Sequence, residues 1–147
     1  MKDDPGSDLG NWPISVSIPV LWGHMDAFSH VNNVMYLRWF ESARIAYFEA
    51  AGVIAEMERS QIGPILARAT CDFKIPLVYP DQVTVQSTVS RIGTTSFTML
   101  NRILSEAHGG AVAAEGEAII VMVDYAKGEK APVPDHVRDG IARVESL

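Results

Sequence analysis

The stretch from Asn33 to Ala51 leaves this chain few choices of fold. Tyr36, Phe40, Ala43, Tyr47 and Ala50 recur at the i, i+3/i+4 spacing of one helical face. Leu37, Trp39, Ala46 and Phe48 widen that face until only the side carrying Arg38, Ser42 and Glu49 is clearly polar. A helix this apolar is not a surface helix and should be enclosed by other structure. Gly52 is a natural stop, because glycine takes the left-handed conformation that ends helices. A short second helix is expected at Ile54–Arg59.

The rest of the pattern is β. Ile14 to Leu21 carries Val16, Ile18 and Val20 on one face, and Pro19 marks an edge strand or a bulge. From Pro64 onward the apolar period becomes two. Cys71, Phe73 and Ile75 alternate with polar neighbours, as do Val83, Val85 and Val89, and then Phe97, Met99 and Ile103. Val112 to Val123 ends in the run AIIVMV, as expected of a central strand covered on both faces. Gly93-Thr94-Thr95 and Ala107–Gly110 are tight connections that favour antiparallel hairpins. Pro134 to Val144 reads as a terminal helix. One curved antiparallel sheet wrapped around one long central helix satisfies this order, an α+β architecture. Such a sheet leaves a face or an edge open, so a homodimer or larger homo-oligomer is expected.

Length and composition narrow the partners. With 147 residues, 48% of them hydrophobic, two independent cores are unexpected. Residues 1–11 read as a loose polar arm and residues 12–147 as a single domain. A formal charge of −6 argues against nucleic acid or an anionic membrane as partner, though not against a local pocket for an anionic ligand. The single cysteine, Cys71, excludes an intrachain disulfide and a multi-cysteine metal site, and fits a reducing compartment, the cytoplasm. Asp3, Asp4 and Asp8 stand where a signal peptide needs an apolar core. The longest aliphatic run, Ala118–Val123, falls far short of a membrane span.

The chemistry concentrates in the link between first strand and helix, Trp22-Gly-His-Met-Asp-Ala-Phe-Ser-His-Val-Asn-Asn. Two readings compete there. In one, Asn32 or Asn33 caps the helix and Asp26 favours the positive end of its dipole. In the other, the same helix start offers unpaired N–H groups that polarise a carbonyl and stabilise an oxyanion. A carboxylate just upstream then attacks that carbonyl or activates water.

Trp22 to Gly52 closely resembles the signature of the hotdog-fold acyl-CoA thioesterases of the 4-hydroxybenzoyl-CoA thioesterase type. The shared pattern is Asp26, three residues, His30-Val31-Asn32-Asn33, then Tyr36 and Phe40-Glu41-Ser42-Ala43-Arg44. The likeness in element order extends over roughly residues 14–125. The resemblance implies a hotdog fold and hydrolysis of an acyl-CoA thioester to CoA and a carboxylic acid. It implies that Asp26 is the catalytic carboxylate, as nucleophile or general base, and that His30 and Asn33 shape the site. Backbone N–H groups of Asn32, Asn33 and Val34 would hold the oxyanion, in a pocket between two subunits of a homodimer or homotetramer. One departure concerns Ser29, where many relatives have Gly. Serine pays a cost at positive φ, which puts the loop's shape in question.

Other candidates carry less. His24 could tune Asp26, but a packing histidine explains it better. No zinc-ligand spacing is present and no Gly-x-Ser-x-Gly elbow, so neither a metal nor a redox cofactor is expected. Glu41 and Arg44 stand i, i+3 and should form a structural ion pair. The nucleotide end of CoA needs positive charge or N–H donors, which Arg91, Gly93, Thr94, Thr95 and Ser96 offer at one hairpin, a region the family commonly uses. Arg68, Lys74 and Arg102 are further candidates, while Tyr36, Trp39 and Phe73 could be core or pocket lining. Two rival functions stand beside hydrolysis: a hotdog hydratase or dehydratase, and a non-catalytic acyl-CoA sensor.

Overall fold

Helix α1 (Asn33–Ala51) starts and stops on its own chemistry. Asn32 is extended, at φ −61° and ψ 139°, and its side chain accepts the Val34 N–H. Gly52 ends the helix at φ 79°, its N–H donating to the Phe48 and Glu49 carbonyls. The structure is a computed structural model and describes residues 12–146; the arm expected at residues 1–11 lies outside them.

Before α1 stand β1 (Ile14–Val20) and a 3-10 turn at Trp22–His24; after it come α2 (Val53–Ser60), β2 (Ile62–Ala69) and β3 (Asp72–Phe73). Then follow β4 (Asp81–Ile92), β5 (Ser96–Ser105), β6 (Ala111–Asp124), β7 (Glu129–Lys130) and α3 (Asp135–Glu145). One antiparallel sheet runs in the order β1-β4-β5-β6-β2, with β3 and β7 also on β6. It curls around α1 in the expected α+β hotdog arrangement. Pro19 sits on β1, which is indeed an edge strand paired only with β4.

Three expectations need correction. The alternating stretch 70–75 forms only the two residues of β3, and the longer edge strand β2 lies before it. β2 and β3 follow β6 in one register, Ala69 opposite Ala118 and Asp72 opposite Glu115. Between them the Thr70 hydroxyl accepts the Glu117 N–H at 3.0 Å. Gly116 permits that close approach, since a Cβ there would lie 2.0 Å from the Thr70 carbonyl oxygen. Second, β6 is not covered on both faces: Ala118, Ile120 and Met122 are buried, whereas Ile119, Val121 and Val123 are only half-buried. Third, the chain encloses one side of α1 only. Val34 is 59% exposed, and Leu37 and Ile45 are exposed beside it.

The core falls into two clusters at opposite ends of the sheet. Val20, Val31, Tyr36, Trp39, Leu77, Val83 and Ile103 pack near the start of α1. Tyr47, Phe48, Val89, Phe97, Ile120, Val137 and Ile141 pack near its end, under α3. Gly140 lets α3 close on α1, because a Cβ there would meet the Ala51 carbonyl oxygen at 1.8 Å.

Candidate active site

The loop between β1 and α1 is a small folded unit. Met25 and Val31 form an isolated bridge, and the Asp26 N–H donates to the His30 carbonyl at 2.9 Å. Asp26 Oδ1 accepts the Phe28 N–H at 2.8 Å, an aspartate turn that fixes its side chain. Its other carboxylate oxygen has no partner among the described residues, and the residue is exposed. Ser29 adopts φ 64°, so serine takes the left-handed position that glycine would occupy, and the loop keeps its turn. The Val31 N–H donates to the Leu77 carbonyl, which ties the loop to the segment before β4.

Asp26, His30 and Asn33 are brought together: all three line one cleft of about 420 Å³, with Phe28, Tyr36, Phe73 and the segment Lys74–Pro76 on its other walls. The three amides expected to hold an oxyanion are not equivalent. The Asn32 N–H is committed to the His24 carbonyl at 2.9 Å, and the Val34 N–H to Asn32 Oδ1 at 3.0 Å. The Asn33 N–H has no partner among the described residues. It sits at the first helical position, where the dipole is most positive.

The supporting side chains are structural. Tyr36 Oη donates to the Ile75 carbonyl at 3.0 Å and accepts the Leu77 N–H at 3.2 Å, clamping α1 to the far wall. Burial pushes the Tyr36 hydroxyl pKa up, so it stays protonated near neutrality. His24 is a packing residue: its Nδ1 accepts the Leu21 N–H and its ring meets Trp39 edge-on at 5.9 Å. It does not line the Asp26 cleft. Cys71 has its pKa pushed up to about 11 by burial and by Asp72, which makes it a poor nucleophile.

Lys74 and Pro76 line the cleft in a segment read as strand from the sequence. Lys74 pairs with Glu115 at 2.7 Å. The signal lay in Pro76 and Pro80, which cannot donate to a ladder and mark an irregular segment.

The hairpin of Arg91, Gly93, Thr94, Thr95 and Ser96 is not brought to this cleft. It lies at the opposite end of the twelve-residue strand β4. Its carbonyls hold the C-terminal segment instead: Arg138 Nη2 donates to Gly93 at 2.7 Å and to Thr94 at 3.3 Å, and the Val133 N–H donates to Thr94. Arg68 is exposed on β2. Arg102 Nε donates to Gln86 at 2.7 Å and its guanidinium stacks 4.5 Å from the Trp12 ring centre.

The expected Glu41–Arg44 ion pair does not form. Arg44 is 7% exposed, with no salt bridge within 4 Å and no hydrogen-bond partner among the described residues. Burial pushes its pKa down, and the charge of Glu41 only partly offsets this.

A curled antiparallel sheet around one helix, with a carboxylate and an unpaired amide at that helix's start, defines the class of hotdog-fold thioester hydrolases. The chain belongs to the Thioesterase-like superfamily, whose family model matches residues 20–141. It is similar to the long-chain acyl-CoA thioesterase FadM of Escherichia coli, 26% identical over 118 residues, or 80% of this chain and 88% of FadM. Among solved structures, the PA2801 protein of Pseudomonas aeruginosa is 34% identical, with a TM-score of 0.77 over 88% of this chain and 98% of that one. A Thermus thermophilus thioesterase complexed with coenzyme A and zinc is 28% identical, with a TM-score of 0.81 over 92% and 96% of the two chains. Among the described residues no group of three or more His, Cys, Asp and Glu is placed to hold a metal. No helix there is long and apolar enough to cross a membrane.

Proposed function

We propose that this protein hydrolyses an acyl-CoA thioester to CoA and a carboxylic acid, with Asp26 as the reactive carboxylate. The observation that carries this is the pairing, in one cleft, of an Asp26 oxygen without a partner and the unpaired Asn33 amide. The substrate carbonyl oxygen accepts the Asn33 N–H, and the helix dipole adds to its polarisation. Asp26 supplies an electron pair, either to the carbonyl carbon or to a proton of an attacking water. The tetrahedral intermediate collapses with cleavage of the C–S bond and departure of the CoA thiolate. Where water attacks, the acid forms directly and the proton taken up by Asp26 passes to the thiolate; where Asp26 attacks, a second water hydrolyses the resulting acyl-Asp26 anhydride, which releases the acid, restores the carboxylate and supplies the proton. His30 and Asn33 position water and substrate from the rim. Nothing in these steps calls on a metal or redox cofactor.

The working unit is a homodimer or a homotetramer built from it. The exposed Val34, Leu37 and Ile45 of α1 lie beside an open edge strand, β2, whose Ile65 and Leu66 are also exposed. An apolar face beside an unpaired strand edge favours a second copy. A second copy could also bring its own Arg91 hairpin to a cleft that lies at the other end of β4. The free Cys71 fits a cytoplasmic location.

The experiment is a thiol-release assay over acyl-CoAs varied in length and aromaticity, run beside enoyl absorbance and direct binding. Thiol release with turnover supports hydrolysis. A change in enoyl absorbance without thiol would make the protein a hydratase or dehydratase, and tight binding without turnover a sensor.

A further inference from the structure

The aliphatic run Ala118–Val123 is more than one buried face requires. In an antiparallel sheet with one face in water, apolar and polar residues alternate along each strand. β6 obeys this at Glu115 and Glu117, which point away from α1, and then departs from it. Ala118, Ile120 and Met122 are buried toward α1, yet Ile119, Val121 and Val123 between them are aliphatic too and only half-buried. On the neighbouring edge strand β2, Ile65 stands opposite Val121 and Arg68 opposite Ile119, so both share that outer face. Ile65 is exposed. The far side of the outer face is built differently. There Ser15 and Ser17 of β1 stand opposite Gln86 and Thr84 of β4, as a solvated surface should. The outer face is thus divided between a polar half and an aliphatic stripe, Ile65, Ile119, Val121 and Val123.

The position of the stripe says what covers it. It lies against the free edge of β2, the edge assigned above to a second copy. Pairing there sets two sheets edge to edge, and the two stripes merge into one band across the twofold axis. A few scattered aliphatic side chains are ordinary surface, whereas a contiguous band marks a contact. The charges at its end suit a facing copy of the same surface. Arg68, Asp72 and Glu117 line one shallow pocket there, and none of them forms a salt bridge among the described residues. Both signs on one patch are what a self-complementary contact needs, since Arg68 of one copy can meet Glu117 of the other and the reverse. With a formal charge of −6 per chain, copies repel one another over most of their surface, and an uncharged band lets them approach at least cost. Residues 1–11 match the band poorly in composition, with Asp3, Asp4 and Asp8 against Met1, Pro5 and Leu9 as apolar side chains.

We propose that the outer stripe of β6 and β2 is a second contact between copies of this chain, through which two dimers pack sheet against sheet into a tetramer. This rests on the reading of the α1 and β2 face as the dimer contact, and it selects the tetramer. The stripe and the catalytic cleft are separate surfaces: Asp26, Asn33 and Tyr36 line the cleft at the start of α1, on the other side of the sheet. Parting the two dimers therefore leaves each cleft as it was.

Sedimentation velocity at micromolar concentration reads the assembly, and thiol release reads the activity. The wild-type protein should sediment as a tetramer and remain one at high salt, because the band itself is apolar. Val121→Lys, at the centre of the stripe, should give a dimer whose kcat/KM stays within twofold of wild type. Ile65→Thr combined with Ile119→Thr, which strands tolerate, should shift the tetramer–dimer equilibrium at least tenfold toward dimer, and it keeps the test open if Val121→Lys fails to fold. Leu37→Glu, on the exposed face of α1, should instead leave pairs joined through the stripe. A wild-type protein that is monomeric, or dimeric and unchanged by Val121→Lys, overturns the proposal, as does a tetramer unchanged by both stripe variants. A wild-type dimer that Val121→Lys makes monomeric and Leu37→Glu leaves intact refutes the α1 and β2 reading, and with it the tetramer. A dimeric wild type that binds phosphatidylcholine vesicles, and loses them in Val121→Lys, would give the stripe to a lipid surface and also overturn the proposal. Sedimentation decides the contact whether or not any acyl-CoA is hydrolysed, so absence of thiol release refutes the thioesterase reading alone.

Discussion

The two ends of α1 are built on opposite principles. At its C-terminal end buried and charged groups are paired across the fold. Glu145 is buried, yet it accepts the Tyr47 hydroxyl and the Thr88 hydroxyl at 2.7 Å each and the Val89 N–H at 2.9 Å. Arg143 donates to the Ala50 carbonyl, and Arg138 binds the Gly93 and Thr94 carbonyls. At the N-terminal end the same kinds of group are left open: one Asp26 oxygen and the Asn33 N–H. Satisfied polar groups lock a structure, whereas unsatisfied ones in a cavity wait for a ligand. The difference separates a fastening from a site, and it moves the Arg91 hairpin, which looked like ligand chemistry, to the fastening end of its own chain.

The contrast breaks most sharply at Asp26. Asp26→Asn keeps the turn, since the amide oxygen can still accept the Phe28 N–H, but the group can neither attack as an anion nor take a proton. Turnover should fall by roughly 10²–10⁴ with KM and thermal midpoint nearly unchanged. A variant with near wild-type kcat would reduce Asp26 to a turn-forming residue.

Glu145→Ala should do the reverse. It strands two hydroxyls and an amide in the core, and unfolding by urea should show a loss of about 3 kcal/mol. The folded fraction should keep its kcat, and a large fall in kcat at full folding would show that the two ends are coupled. Gly140→Ala should act the same way more weakly, by about 1–3 kcal/mol, because the Ala51 carbonyl must move aside. The smallest effect belongs to Arg91→Ala. If a second copy brings its hairpin to the cleft, KM for CoA thioesters should rise about fivefold, roughly 1 kcal/mol, with kcat unchanged. Pantetheine thioesters should show no rise. Unchanged KM for both would confine the hairpin to holding α3.

Much of this was legible in the sequence because it is local. Asn33–Ala51 reads as helix from its spacing and from Gly52, and the chain obeys. The edge position of β1 follows from Pro19, and the gathering of Asp26, His30 and Asn33 follows from a short signature. What could not be read is non-local. The role of Arg138 on the hairpin spans more than forty residues, and that of Glu145 on Thr88 more than fifty. The Glu41–Arg44 pair fails because i, i+3 spacing permits contact without requiring it. Burial of Arg44 against the sheet decides the matter instead. Residues 70–75 alternate as a strand does, but the Thr70 hydroxyl breaks the ladder and Pro76 ends it.

The most direct test of the open end uses proline at Asn33. Proline is favoured at the first helical position, where its missing N–H removes no helical bond. Asn32, at ψ 139°, already has the backbone that precedes a proline. Asn33→Pro therefore deletes the unpaired Asn33 amide while leaving the helix intact, and Asn33→Ala controls for loss of the side chain. Measured by thiol release on the best acyl-CoA, Asn33→Pro should have a kcat roughly 10²–10³ below that of Asn33→Ala, at an equal thermal midpoint. Equal kcat for the two variants would contradict an oxyanion held at the start of α1.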